Sequence, residues 1–184
     1  PNDHVNRSQS TNDVFPAAIH VAAAKQLKDG LLPALHALVQ AFDVKAQAWM
    51  PIVKIGRTHL QDAVPLRLGD EVAAWRDQLK QAQAWLKACL VSLGDLPLGG
   101  TAVGTGLNTP PGFRHAVAEE LSRVAGVQVH PAENLFAVMG GHDALVHAMG
   151  QLRLLSVALL RISNDLRLLG CGPRAGLGEL RLPA

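Results

Sequence analysis

Two short polar segments carry the side chains best suited to chemistry in this chain. One is Ser10-Thr11-Asn12 and the other is Thr58-His59, and each leads into an apolar pattern with helical spacing. Hydroxyl and amide groups at a helix start lie beside free backbone N–H groups and the positive end of the helix dipole, which suits a carboxylate ligand. Histidine titrates near neutral pH, so His59 suits proton transfer.

Both segments also have an ordinary structural interpretation. Ser10-Thr11-Asn12 is typical of a helix N-cap, with Asn12 or Asp13 as the capping residue. A lone histidine near a helix start, such as His59, usually has a structural role. However, residues 57–62 crowd several polar side chains that need partners into one short turn. From the residues alone, both interpretations stay open.

Four motifs in order along the chain resemble the fumarase/aspartase superfamily and, within it, the class II fumarases. They occupy residues 2–13, 54–65, 98–108 and 164–180. The resemblance implies an all-α fold, a bundle of long helices whose central helices form a tetrameric core. It implies a hydro-lyase of the tricarboxylic acid cycle that interconverts L-malate and fumarate by anti addition and elimination of water. No metal or organic cofactor is implied.

The resemblance also assigns roles to individual residues. Ser10-Thr11-Asn12 would bind a substrate carboxylate, and Thr58 would contact the substrate. His59 would be catalytic, through a water held against the substrate. Asn2-Asp3 matches a secondary anion site at the mouth of the active site, with a solvated polar loop as the alternative. In this family each active site is shared between subunits, so Ser10 and His59 of one site would come from different chains.

Two other functions remain open. Thr11 and residues 174–176 favour an aspartase-type ammonia-lyase, whereas His59 and Gly178 favour a fumarase. A non-catalytic helical scaffold that only oligomerises is the third interpretation. The third family signature, a Gly-Ser-Ser loop that supplies the catalytic base and a lysine, is expected a few residues beyond Ala184. We therefore expect the 184 residues alone to lack the base and to be inactive.

Composition favours an oligomer, and the small dicarboxylate partner, malate or fumarate, is what the resemblance implies. Apolar residues make up 48% of the chain and charged residues 17%, which is a low charge content for a soluble monomer. No uninterrupted apolar run approaches the roughly 20 residues of a membrane-spanning helix, so burial between subunits is predicted. The net charge of +2 without a basic patch argues against a nucleic-acid partner. The histidines and cysteines have no ligand spacing, so no metal site is predicted.

The chain has no linker. The resemblance implies one central helical domain over residues 1–184, with an N-terminal domain, the third signature and a C-terminal domain outside it. Helices are predicted at 68–93, 112–124 and 133–169, and an extended segment at 51–55. The first helix is expected to bury Phe15 and Ile19. A cytoplasmic location is expected, and a mitochondrial one stays open because the chain begins without Met.

Overall fold

The computed structural model describes residues 3–183, which form six α-helices and two small sheets. The elements in order are α1 (Thr11–Lys25), α2 (Leu32–Ala48), β1 (Val53–Thr58), β2 (Gln61–Arg67), α3 (Leu68–Leu93), β3 (Asp95–Leu96), α4 (Phe113–Ala125), β4 (His130–Pro131), α5 (Leu135–Gly140) and α6 (Asp143–Leu169). A π-helical turn, Gln26–Leu31, joins α1 to α2. The predicted fold class, a long-helix protein with little sheet, is confirmed.

The described residues fall into two compact units. The first unit comprises residues 3–34 and 84–150, and the second comprises residues 35–83 and 151–183. The first unit contains Ser10-Thr11-Asn12 and the second contains Thr58-His59. Each unit therefore carries one of the two polar segments that the sequence singles out.

Helix α1 begins two or three residues earlier, and buries a different face, than the sequence predicts. Its N-cap is Ser10 and not Asn12 or Asp13. Phe15 is 64% exposed and Ile19 is also exposed, so the predicted apolar stripe is wrong. The face that packs inside the first unit consists of Asp13, Pro16, Ala17, His20 and Ala24.

The long helix α3 is the element that the sequence predicts best, because its bounds are those expected, 68–93. Apolar residues at three- and four-residue steps form one stripe along this helix, and the stripe is buried. The fully buried members are Val72, Trp75, Leu79, Ala82, Leu86, Cys89 and Leu93. The predicted helix at 112–124 is also confirmed, as α4.

A β-hairpin replaces the helix start that the sequence suggests around His59. Strands β1 and β2 pair antiparallel, with Lys54 opposite Leu66 and Thr58 opposite Gln61. His59 and Leu60 form the two-residue turn, with φ angles of 52° and 62°. Positive φ at both central positions is the geometry of a type I′ hairpin turn. The sequence predicts only the first part of β1, since β2 lacks a clear alternating pattern and contains a proline.

Helices α5 and α6 correct the prediction of a single helix over 133–169. The break falls at Gly141, which is extended and follows a second glycine. Inside α6, Leu155 is buried, whereas Val157 and Leu160 are 62% and 63% exposed within the chain. By length and composition alone, α6 could cross a membrane. The sequence did not predict this, because only uninterrupted apolar runs were considered. The same composition is typical of a core helix in a multi-subunit bundle.

Candidate active site

The start of α1 is a closed capping box. The Ser10 hydroxyl oxygen accepts from the backbone N–H groups of the first turn, including that of Asn12 at 3.2 Å. In return, the backbone N–H of Ser10 donates to Asp13 Oδ1 at 2.8 Å. This reciprocal arrangement satisfies helix-start donors that would otherwise face solvent or a ligand. The N–H groups of Ser10, Asn12 and Asp13 are therefore engaged within the helix start and are not available to a ligand.

Asp13 connects this helix start to the glycine-rich loop (residues 98–108). Its side chain is fully buried, and Oδ2 accepts from the backbone N–H groups of Gly99 and Thr101, both at 3.0 Å. A second link runs beside it, because Asn12 Nδ2 donates to the carbonyl of Ala102 at 2.8 Å. Two segments about ninety residues apart in sequence are thus held together by side-chain to backbone hydrogen bonds.

Glycines allow the loop to pack this closely. Gly104 has a φ of 103°, and a Cβ built on it would lie 2.9 Å from the ring of Phe136. Gly99 has a φ of 94°, and its Cβ would lie 2.7 Å from the Cβ of Arg114. A residue with a side chain would be strained and would clash at either position. The glycine run therefore shapes the loop rather than contacting a ligand by itself.

An open cleft of about 1090 Å³ lies where residues 3–10 meet the glycine-rich loop. Ser10 and Asp3 both line it, so the structure brings a predicted substrate-binding residue and a predicted secondary-anion residue to one cleft. Asn2 lies outside the described residues. Arg7 also lines the cleft and supplies a guanidinium, which sequence reasoning did not single out. A guanidinium suits a carboxylate because it can donate two parallel hydrogen bonds.

Thr58 and His59 are exposed at the tip of the hairpin in the second unit. A groove of about 390 Å³ runs beside this tip, and His59, Lys54 and Arg57 line it. Glu71 and the end of α6 complete its wall. The structure thus presents Thr58 and His59 together at an exposed turn within their own unit.

Charged side chains fill the base of the hairpin. Lys54 Nζ lies 2.7 Å from Glu71 Oε2 and 2.6 Å from Glu179 Oε2, the latter an ion pair without the alignment of a hydrogen bond. Arg57 pairs with the other oxygen of Glu179. Burial raises the pKa of the Glu179 carboxyl, but the charges of Arg57 and Lys54 outweigh burial and hold that pKa below its ordinary value. The sequence does not predict this cluster, because Glu179 lies 122 residues from Arg57 along the chain.

A family model described as a lyase matches residues 1–184. The chain belongs to this lyase family. The chain is 67% identical over 184 residues to a class II fumarate hydratase of Parasynechococcus marenigrum, covering 100% of this chain and 40% of that relative. A mitochondrial fumarate hydratase of Danio rerio is 51% identical over 183 residues, with 100% of this chain and 36% of the relative covered.

A solved structure agrees with these relatives. The class II fumarase from Schistosoma mansoni superposes with a TM-score of 0.93 at 40% identity, covering 96% of this chain and 40% of that one. The resemblance to class II fumarases that the motifs indicate is therefore confirmed. The chain spans about 40% of the length of the curated relatives it matches.

The hydrogen bonds of Asp13 predict a specific loss of stability. In Asp13→Asn, an NH₂ group would replace one carboxylate oxygen and face backbone N–H donors that then lack an acceptor. We expect the free energy of unfolding to fall by about 3 kcal/mol, measured by urea denaturation, because buried unsatisfied donors are costly.

Asp70→Asn is the matched control. Asp70 also lies in the first turn of a helix, but its ion pair with Arg67 is about half exposed, so its loss should cost less than about 1 kcal/mol. Equal stability losses in the two variants would contradict the role given to Asp13.

Proposed function

We propose that the whole protein is a hydro-lyase that interconverts L-malate and fumarate. One observation carries this proposal: the capped helix start that holds Ser10, Thr11 and Asn12 lies at a cleft, which Ser10 lines. The chain is also 67% identical to a class II fumarate hydratase. The substrate is accordingly a small dicarboxylate, which needs fixed hydrogen-bond donors for its carboxylates. No metal or organic cofactor is required by this chemistry.

Ser10, Thr11 and Asn12 are proposed to bind one substrate carboxylate. The Ser10 oxygen accepts hydrogen bonds within the capping box, which leaves its O–H free to donate outward. Asn12 uses one amide hydrogen on Ala102 and retains the second. Thr11 is exposed beside them at the positive end of the α1 dipole. Asp3 and Asn2 are proposed for a secondary anion site; Asp3 lines the cleft, and Asn2 lies outside the described residues.

The reaction develops negative charge on a substrate carboxylate, which the donors of Ser10, Thr11 and Asn12 can stabilise. Removal of a proton from the carbon next to a carboxylate gives a dianionic aci-carboxylate, and fixed donors lower the energy of that intermediate. Hydroxide then leaves with a proton, which His59 is proposed to supply through a water while Thr58 contacts the substrate. The resemblance assigns the base to a serine in a Gly-Ser-Ser loop, a sequence that these 184 residues do not contain.

We further propose that the protein is a homotetramer whose active sites combine residues from different subunits. The support is the exposed apolar surface of α6, where Val146, Met149, Val157 and Leu160 are each more than 60% exposed. Burial of such residues between subunits removes apolar surface from water. No nucleic-acid or membrane partner is proposed.

An aspartase-type ammonia-lyase is the second candidate. Thr11 and residues 174–176 favour it, and His59 and Gly178 oppose it. We propose a cytoplasmic location, as expected for a bacterial relative such as that of Parasynechococcus. A mitochondrial location is the alternative, which the name of the Danio rerio relative supports.

The tetramer proposal predicts that charge on α6 disrupts assembly. Val157→Glu in the whole protein should shift sedimentation towards smaller species, because a buried unpaired carboxylate is costly at an interface. Val124→Glu is the control, since Val124 is 67% exposed on the short helix α4 among charged neighbours. A Val157→Glu protein that sediments like the unmodified protein would contradict the interface on α6.

The catalytic assignment predicts the effect of His59→Asn in the whole protein. Malate dehydration should fall by roughly 10² to 10⁴-fold, the usual contribution of a positioned acid or base. Asparagine tolerates the positive φ of this turn, so the hairpin should persist. The rate is followed by the absorbance of fumarate, with the exposed His115→Asn on α4 as the control. Unchanged turnover in His59→Asn would assign His59 a structural role.

A further inference from the structure

Four charged side chains form a nearly buried group at the base of the hairpin that carries Thr58 and His59. We call this group the hairpin-base cluster; its members are Lys54, Arg57, Glu71 and Glu179. Their side chains are only 10% to 27% exposed. Ion pairs this far removed from solvent are screened much less than surface pairs, so each partner is strongly constrained by the other.

Glu179 occupies the central position because it contacts both cations of β1. One carboxylate oxygen pairs with Arg57 and the other with Lys54. The backbone of Glu179 is itself fixed, since its N–H donates to the carbonyl of Leu169 at 2.9 Å and that of Leu180 donates to the same carbonyl at 3.0 Å. Glu179 therefore ties the hairpin to the C-terminal end of α6.

The charges of the cluster argue against a ligand-binding role. Two cations, Lys54 and Arg57, face two carboxylates, Glu71 and Glu179, so the adjoining groove has no excess positive charge for a dicarboxylate. The pKa of Glu179 lies below its ordinary value, so its carboxylate stays ionised at neutral pH. A neutral, internally paired cluster is suited to holding a segment in place.

The hairpin needs such support. A two-stranded hairpin is marginally stable by itself in water. Its turn adds strain, because Leu60 is a bulky residue with a φ of 62° and its side chain is 71% exposed. Backbone strain of this kind costs about 1–3 kcal/mol and persists only when the surroundings fix it. The ion pair of Arg57 on β1 with Glu179 holds the β1 backbone two residues before His59.

We propose that Glu179 is a positioning residue for the reaction: by pairing with Arg57 and Lys54 it fixes the hairpin and so the placement of Thr58 and His59. This inference rests on the proposed function, in which His59 delivers a proton through a water. One substrate carboxylate is proposed to bind elsewhere, at Ser10-Thr11-Asn12. Loss of Glu179 should therefore affect proton transfer more than binding.

The test is Glu179→Gln in the whole protein, which keeps the size of the side chain and removes its charge. We expect kcat for malate dehydration to fall about tenfold or more while KM changes less than about threefold, because small displacements of a catalytic group cost rate. Glu179→Asp retains the charge and should restore part of kcat. Glu120→Gln is the matched control, since it removes an exposed pair with Arg123 on α4 and should leave kcat unchanged.

Hydrogen–deuterium exchange of residues 53–67 tests positioning independently of activity. These amides should exchange faster in the Glu179→Gln protein than in the unmodified protein. In the Glu120→Gln protein their exchange should be unchanged. If the unmodified protein fails to hydrate fumarate, the proposed function is wrong, and the exchange result alone then decides whether Glu179 fixes the hairpin. If Glu179→Gln does not fold, Arg57→Gln removes one of the same ion pairs and is judged by the same measurements. Unchanged kcat or unchanged exchange in the folded variant overturns the proposal.

Discussion

The carboxylate of Asp13 is buried and accepts three backbone N–H groups, so the start of α1 cannot move independently of the glycine-rich loop. A carboxyl group away from water is tolerated only when hydrogen bonds replace its hydration. Ser10 N–H, Gly99 N–H and Thr101 N–H provide that replacement. Asp13 is the buried link between the helix start and the loop that line the cleft, and the bonds of Asn12 to Ala102 and of Ser8 to Asn108 reinforce it.

In the second unit, ion pairs hold the polar segment in place. The hairpin that presents Thr58 and His59 has a strained turn and few apolar contacts of its own. Lys54 and Arg57 on β1 meet carboxylates from α3 and from the segment after α6. In both units a short polar segment is thus exposed for chemistry, while buried polar interactions nearby hold its backbone in place.

Regular helices and local motifs could be predicted from the sequence, whereas long-range polar contacts could not. The bounds of α3 follow from its apolar stripe, which repeats over seven turns. The sequence predicts the cap two or three residues too late, because all four neighbouring residues 10–13 are good capping residues. The hairpin was missed since β2 has mostly exposed side chains and a proline, which obscure a strand pattern. The partners of Asp13 in the glycine-rich loop and the partner Arg57 of Glu179 cannot be predicted from the sequence, because they lie about ninety to 120 residues away along the chain.

The most direct test of the central claim is to incubate the whole protein with fumarate in D₂O and follow the products by NMR. We expect L-malate with one deuterium at C3, placed by anti addition, and no product that needs ammonia. Adding ammonium should leave this outcome unchanged. Formation of aspartate with ammonium and no malate without it would contradict the account and identify an ammonia-lyase. Recovery of unchanged fumarate under both conditions would contradict it in favour of a non-catalytic scaffold.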